Sequence, residues 1–263
     1  MNKYLYPCFD KWFEKGGAVY FYSDPHFDDP DSVLMGRTIS SQTQIDNINR
    51  IVHKNDTLVI LGDINNVEWV KKIKAGRKVL ILGNHDKGVI NYQRKVHKVY
   101  FPNNLIPKSE EDKKYNELLS KGYKPKTELL NTGSRVFYLE QDNKLFDEVY
   151  EGPLLINHKI ILSHEPIDFP YAFNIHGHCH SDNLLWETIL KKYDCDVESK
   201  KYNDIQLEII KENGWNHLNI CAEHTGYLPI QLNKIINSGV LKGIVSIHRE
   251  TIDNATKKAI KVR

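Results

Sequence analysis

The run FNIHGHCHSD, Phe173 to Asp182, sets three histidines at alternate positions, His176, His178 and His180. Alternate side chains share a face of a strand, so the spacing predicts three imidazoles pointing one way. Neutral imidazole is the commonest protein ligand for transition ions, and metal binding is the chemistry such a row could serve. A catalytic ion needs further ligands from elsewhere in the chain. Suitable residues recur, each just after a short apolar run. Asp24-Pro25-His26 follows AVYFYS, Gly62-Asp63 follows TLVIL, Gly83-Asn84-His85-Asp86 follows KVLIL, and His164-Glu165-Pro166 follows KIILS. Asp, His and Gly also end strands because they favour turns, but that accounts for one such coincidence and not for five.

The elements that must position these residues are legible in outline. The apolar runs are short, rich in Val, Ile, Leu and aromatics, and closed by Gly or Pro, which reads as buried strands. Two spacers read as helical: Ile45, Ile48 and Val52 follow the cap-like Ser40-Ser41, and Val70 and Ile73 precede Gly76. Strands alternating with helices predict an α/β fold with at least partly parallel pairing. Such a sheet gathers strand ends from distant segments at one edge, where α/β proteins place their sites.

Composition bounds the function class. The 263 residues suit one large domain or two small ones, and a single domain spanning residues 1–263 is expected. Hydrophobic residues at 40% suffice for a packed core, and the net charge of +2 creates no strong pull toward nucleic acid or membrane. Cys8, Cys179, Cys195 and Cys221 form no C-x-x-C pair and read as reduced thiols of a cytoplasmic protein. The opening MNKYLYPCFDKWFEKGG lacks a signal peptide's apolar stretch, and no run approaches the roughly 20 apolar residues that span a bilayer.

Taken in order, D-x-H, G-D, G-N-H-D, a lone His and G-H-x-H resemble the calcineurin-like metallophosphoesterases, in particular small bacterial and phage phosphoesterases. FDEVYEGPLLINHKIILSHEP and EHTGYLPI extend the likeness, which covers most of residues 18–101, 146–183 and 216–238. The resemblance implies a central β-sandwich flanked by helices and two divalent transition ions. One would be held by Asp24, His26, Asp63 and His180, and the other by Asp63, Asn84, His164 and His178, with Asp63 bridging. Oxygen and nitrogen donors without thiolate point to Mn, Fe, Zn or Ni, with Mn favoured. The resemblance further implies attack on phosphorus by a metal-bridging hydroxide, with His85 as general acid. Four charges on the ions would meet two carboxylates, which leaves a positive site suited to an anionic ester.

Other residues have two readings each. Asp86 could orient His85 or simply close a turn. Arg37 could grip phosphate but reads better as a surface arginine, and His158, in a hairpin turn, reads as solvent-exposed. His176 could support the site from behind, His224 could approach it, and Cys179 reads as packed. His53, His97, His217 and His248 are expected to have no site role. The protein Ser/Thr phosphatase branch follows G-D with x-x-D-R-G, whereas this chain has GDINNVEW, so a protein phosphatase is not expected.

Two inserts interrupt the likeness, at about residues 102–144 and 184–214. The first is lysine-rich, with helical spacing at Tyr115, Leu118 and Leu119. The second carries Leu185, Ile189 and Leu190, then Ile205, Ile209 and Ile210, the pattern of two amphipathic helices. Both are expected near the active edge, restricting entry, and the tail KKAIKVR is expected to fray. The reading that results is a phosphodiesterase acting on a small ester such as a nucleotide or cyclic nucleotide. A phosphomonoesterase, a nuclease and a catalytically silent scaffold of the same fold are the alternatives.

Overall fold

Each apolar run that precedes a chemical motif forms a strand. The computed structural model describes residues 10–33, 37, 39–86, 96–100, 110–142, 145–156, 158–180 and 199–245. Strands β1 (Val19–Tyr22), β2 (Thr57–Ile60) and β3 (Arg77–Ile81) lie side by side and parallel. After β4 (Val96–Tyr100), β5 (Lys124–Leu129) and β6 (Arg135–Asp142), strand β7 (Glu148–Tyr150) adds in parallel to β3. Next come β8 (Leu154–Ile156), β9 (Ile160–Leu162), β10 (Phe173–His176), β11 (His217–Asn219) and β12 (Ile230–Gln231). One sheet runs β12-β1-β2-β3-β7 and a second runs β11-β10-β9-β8, with the antiparallel partners β12 and β8 at edges.

The two sheets share one apolar core. Val19, Phe21, Val59, Leu61, Val79 and Ile81 project from the first sheet into a cluster with Ile160, Leu162, Phe173, Ile175 and Leu218 of the second. Leu58, Ile60 and Leu80, which alternate with these, are buried too, so the first sheet is covered on both faces. That explains why β2 reads as continuous apolar residues rather than as an alternation. The helix Ser41–Ile51 starts as expected, with the Ser40 hydroxyl accepting from the Thr43 N–H. Its Gln44 accepts a hydrogen bond from the Tyr22 hydroxyl at 2.8 Å, tying it to the end of β1. The stretch around Val70 is a 3₁₀ helix, Val67–Lys72, shorter than the α-helix its spacing suggested.

By its described residues the chain divides into two compact units, one drawn from residues 1–92 and 148–263, the other from 93–147. The second contains the antiparallel sheet β4-β6-β5 and the helix Glu110–Ser120, so it reaches beyond the expected insert of 102–144 at both ends. In the first unit, the helix Ser199–Asn213 buries Ile205, Leu207, Ile209 and Ile210, and Leu207 and Ile210 join the main core. The expected helix at Leu185, Ile189 and Leu190 lies outside the described residues, as do Cys8, Cys195, His248 and the KKAIKVR tail. Cys179 and Cys221 are free thiols. No helix among the described residues is long and apolar enough to cross a membrane.

Candidate metal centre

Parallel register brings the motif loops together. Tyr22 pairs with Ile60 and Ile60 with Leu80, so the residues after β1, β2 and β3 emerge at one edge. Leu162 of β9 pairs with Ile175 of β10, and His176 with Asn219 of β11, which brings three more loops together. The loops then turn sharply. Asp24 (φ 52°), His26 (φ 41°), Asp63 (φ 52°) and His178 (φ 66°) all adopt the left-handed conformation. Such residues cost on the order of 1–3 kcal/mol each. Four together rival the net stability of a typical domain, about 5–15 kcal/mol, so their surroundings must over-determine them.

Two devices do so. The buried Asp86 carboxylate accepts from the N–H groups of Gly83 (2.8 Å), Asp63 (3.0 Å) and Ile64 (3.0 Å), binding the second loop to the third. Close backbone approach does the rest. A Cβ on Gly177 would lie 2.0 Å from Asp24 Oδ2, and one on Gly83 would lie 2.2 Å from Asp63 Oδ1, so any side chain there would displace the neighbouring carboxylate.

The side chains of the motif residues form two groups, and His180 also stands in a third with Cys221 and Glu223. Asp24, His26 and His180 bring their donor atoms within 4.8 Å of one another, and so do Asp63, His164 and His178. Asn84 joins the second group, its Oδ1 lying 2.7 Å from His164 Nε2 and 3.0 Å from His178 Nδ1. Asp63 stands between the groups, with Oδ2 3.6 Å from His26 Nε2 and 3.3 Å from His164 Nε2. His180 Nε2 is 3.4 Å from Asp24 Oδ1. Several of these separations exceed a good hydrogen bond, and neither the buried Asp24 Oδ1 nor His26 Nε2 has a hydrogen-bond partner. A mixed oxygen and nitrogen donor set that converges with two buried polar atoms left without partners fits divalent cations.

The groups outside this set hold the rings in place. His26 Nδ1 meets Asp29 Oδ2 at 2.7 Å, His180 Nδ1 meets Glu223 Oε1 at 2.5 Å, and His164 Nδ1 donates to the Leu61 carbonyl at 2.8 Å. A carbonyl can only accept, so the His164 proton sits on Nδ1 and Nε2 is left to face the centre. Burial alone would raise the Asp24 carboxyl, yet His180, His164 and Ser23 hold it down at about 2. Burial opposes charge on His164 and His180, but their carboxylate neighbours, Asp63 for the one and Asp24 and Glu223 for the other, raise both to about 9. Burial pushes His26 down instead, even with Asp29 beside it.

A profile of calcineurin-like phosphoesterases matches residues 17–198, more than half of the chain. The chain belongs to that family. None of the curated proteins compared matches it. A solved structure of a protein of unknown function from Aquifex aeolicus is 20% identical over 84% of this chain and 98% of its own, with a TM-score of 0.41. That likeness is too distant to assign fold or activity.

The structure corrects several expectations. The histidines do not share a strand face. Strand β10 ends at His176, and the left-handed His178 sends the chain in a new direction, so His178 and His180 enter different groups. His176 is buried, with Nδ1 2.8 Å from the Gly177 carbonyl. Arg37 is no surface residue. It is buried and donates to the carbonyls of Pro25 (2.6 Å) and Asp24 (2.5 Å) and to Glu223 Oε2 (3.1 Å). Asp86 faces backbone amides and does not orient His85. His158 sits in the expected hairpin turn between β8 and β9 but is half-buried. His224 is buried with Nε2 3.0 Å from the Cys179 carbonyl, so it supports the last motif loop from behind.

The candidate centre also uses residues that sequence reasoning passed over. Asp29 and Glu223 back two of the imidazoles, and the Ser23 hydroxyl donates to Asp24 Oδ2. The charge count from ligands alone therefore omitted two carboxylates and the Arg37 guanidinium. Asp29 stands three residues after His26, a local signal that was available. Glu223 had only its place in the EHT segment, with nothing to say which way it would face.

Proposed function

We propose that this protein hydrolyses a small phosphodiester, such as a nucleotide or cyclic nucleotide, in a centre of two divalent cations, with Mn favoured. The observation that carries the reading is the Asp63 carboxylate standing between two donor groups with the exposed His85 ring beside them. The ring centroids of His85 and His26 are 5.4 Å apart. Two bound cations would supply Lewis acidity and an activated water for in-line attack at phosphorus. Asp24, His26, Asp63 and His180 hold one, and Asp63, Asn84, His164 and His178 hold the other. His85 belongs to neither donor group, so its ring is free to protonate the departing oxygen. A cleft of about 650 Å³ beside Asn84 and His164 supports a small substrate. Leu82, Pro153 and Ile167 line it with Glu151 and Glu165, and no Lys or Arg is among the described lining residues.

The test is hydrolysis of bis-nitrophenyl phosphate against nitrophenyl phosphate by manganese-loaded protein, followed by a nucleotide panel. The diester is expected to turn over faster. Faster monoester turnover would make the protein a phosphomonoesterase, and inactivity on every ester with every divalent metal would favour a silent scaffold.

Cation binding should also depend on pH. With His164 and His180 raised to about 9, both rings are imidazolium at pH 7 before a cation binds, and the cation must displace the proton on the nitrogen that faces the centre. Asp24 and Asp63, both lowered, are already ionised and release nothing. Apparent affinity is therefore expected to climb from pH 6 toward pH 9 and then level off. Calorimetric titration with Mn²⁺ in two buffers of different ionisation enthalpy measures the protons released. Affinity that stays flat over this range would contradict the assignment of these two imidazoles as ligands.

A further inference from the structure

The two donor groups differ in what stands behind them. In the first group, His26 leans on Asp29 and His180 leans on Glu223, both carboxylates. In the second, His164 leans on the neutral Leu61 carbonyl. Behind the first group there is also a buried cation. Arg37 spans 186 residues of sequence to reach Glu223, and the same guanidinium nitrogen that bonds Glu223 bonds the main-chain carbonyl of Asp24. The links close a ring: Asp24 carbonyl, Arg37, Glu223, His180, and back to the Asp24 carboxylate. The ring joins the loop after β1, in one sheet, to the loop after β10, in the other.

Its anchorage is firm. Glu223 sits in a 3₁₀ turn, Ala222–Thr225, next to a bridge between Ser23 and Cys221. Gln206 of the helix Ser199–Asn213 donates to the His224 carbonyl in the same turn. Glu223 lies beyond residues 17–198, the span of the family match. A buried guanidinium is costly unless its donors are used, and here two carbonyls and a carboxylate take its two terminal nitrogens, while Nε has no hydrogen-bond partner. The carboxylate in turn fixes the His180 ring and makes its other nitrogen a better donor.

We infer that Arg37 and Glu223 are positioning residues that clamp the cation position of Asp24, His26 and His180, making it the tighter of two unequal positions. The inference rests on the two-cation reading above but not on catalysis, since its readout is binding. The experiment is stepwise Mn²⁺ titration of the full chain with a competing chelator. Unaltered protein should bind two ions with distinct affinities. Glu223→Gln keeps size and shape, and should weaken the tighter step by about 10–100-fold while moving the weaker one little. Arg37→Lys, which retains charge but loses the forked geometry, should weaken the same step by less. His178→Ala should instead weaken the other step. A general loss of packing would lower both affinities together, so a parallel decline in Glu223→Gln and Arg37→Lys overturns the clamp, as does no change in either. A protein that binds no Mn²⁺ at all overturns the metal centre and the clamp with it, whereas two equal affinities remove only the clamp.

Discussion

Asp63→Ala is expected to lose both cations and, with them, hydrolysis down to background. The carboxylate lies between the groups, 3.6 Å from His26 Nε2 and 3.3 Å from His164 Nε2, closer to both rings than Asp24 Oδ1, which is 4.0 Å from His26 Nε2 and from His164 Nδ1. Its removal takes a negative oxygen donor from both positions and leaves Asp24 as the one carboxylate in the donor set, which lowers the affinity of each position. Alanine at φ 52° also strains the turn, so Asp63→Asn is the cleaner variant, because asparagine tolerates the left-handed conformation. Elemental analysis of both variants decides the matter. One ion retained at full occupancy would mean that Asp63 serves a single position and the centre is not bridged.

His85→Ala should behave in the opposite way, keeping both cations and losing about 10²–10⁴-fold in rate, the usual contribution of a general acid. The structure supplies the reason for the separation. The link from residue 85 to the metal centre is its main-chain N–H, which donates to Asp63 Oδ1 at 2.8 Å, and alanine keeps that group. The imidazole itself is exposed and lies in neither donor set. The deficit should shrink for esters of nitrophenol, which depart without protonation, and persist for alkyl or sugar leaving groups. A uniform deficit across leaving groups would instead assign His85 to binding the phosphate.

Local chemistry made much of this protein legible from its residues. Apolar runs of four to six residues ended where Gly, Asp and His begin, and each became a strand, three of them with a left-handed residue in the loop that follows. Ser40 announced its helix because a hydroxyl at that position satisfies an otherwise unpaired N–H. Alternation of strand and helix sufficed for parallel pairing, and parallel pairing for a common edge. These are properties of a few consecutive residues, which is why they can be read without the fold.

What the tertiary structure decided depends on approach between distant segments. The alternation of His176, His178 and His180 held only while the chain stayed extended, and the left-handed turn at His178 ended it, with Gly177 packed too close to Asp24 to carry a side chain. Asp86 offered the same residue type whether it faced His85 or three amides, and only the convergence of two loops chose the amides. Arg37 and Glu223 are the clearest case. Neither has a local partner that would mark it, and the buried Arg37 meets its counter-charge only because Glu223 arrives from 186 residues away. Periodicity is set by neighbours along the chain, whereas burial of a charge is set by whatever the packed sheets bring beside it.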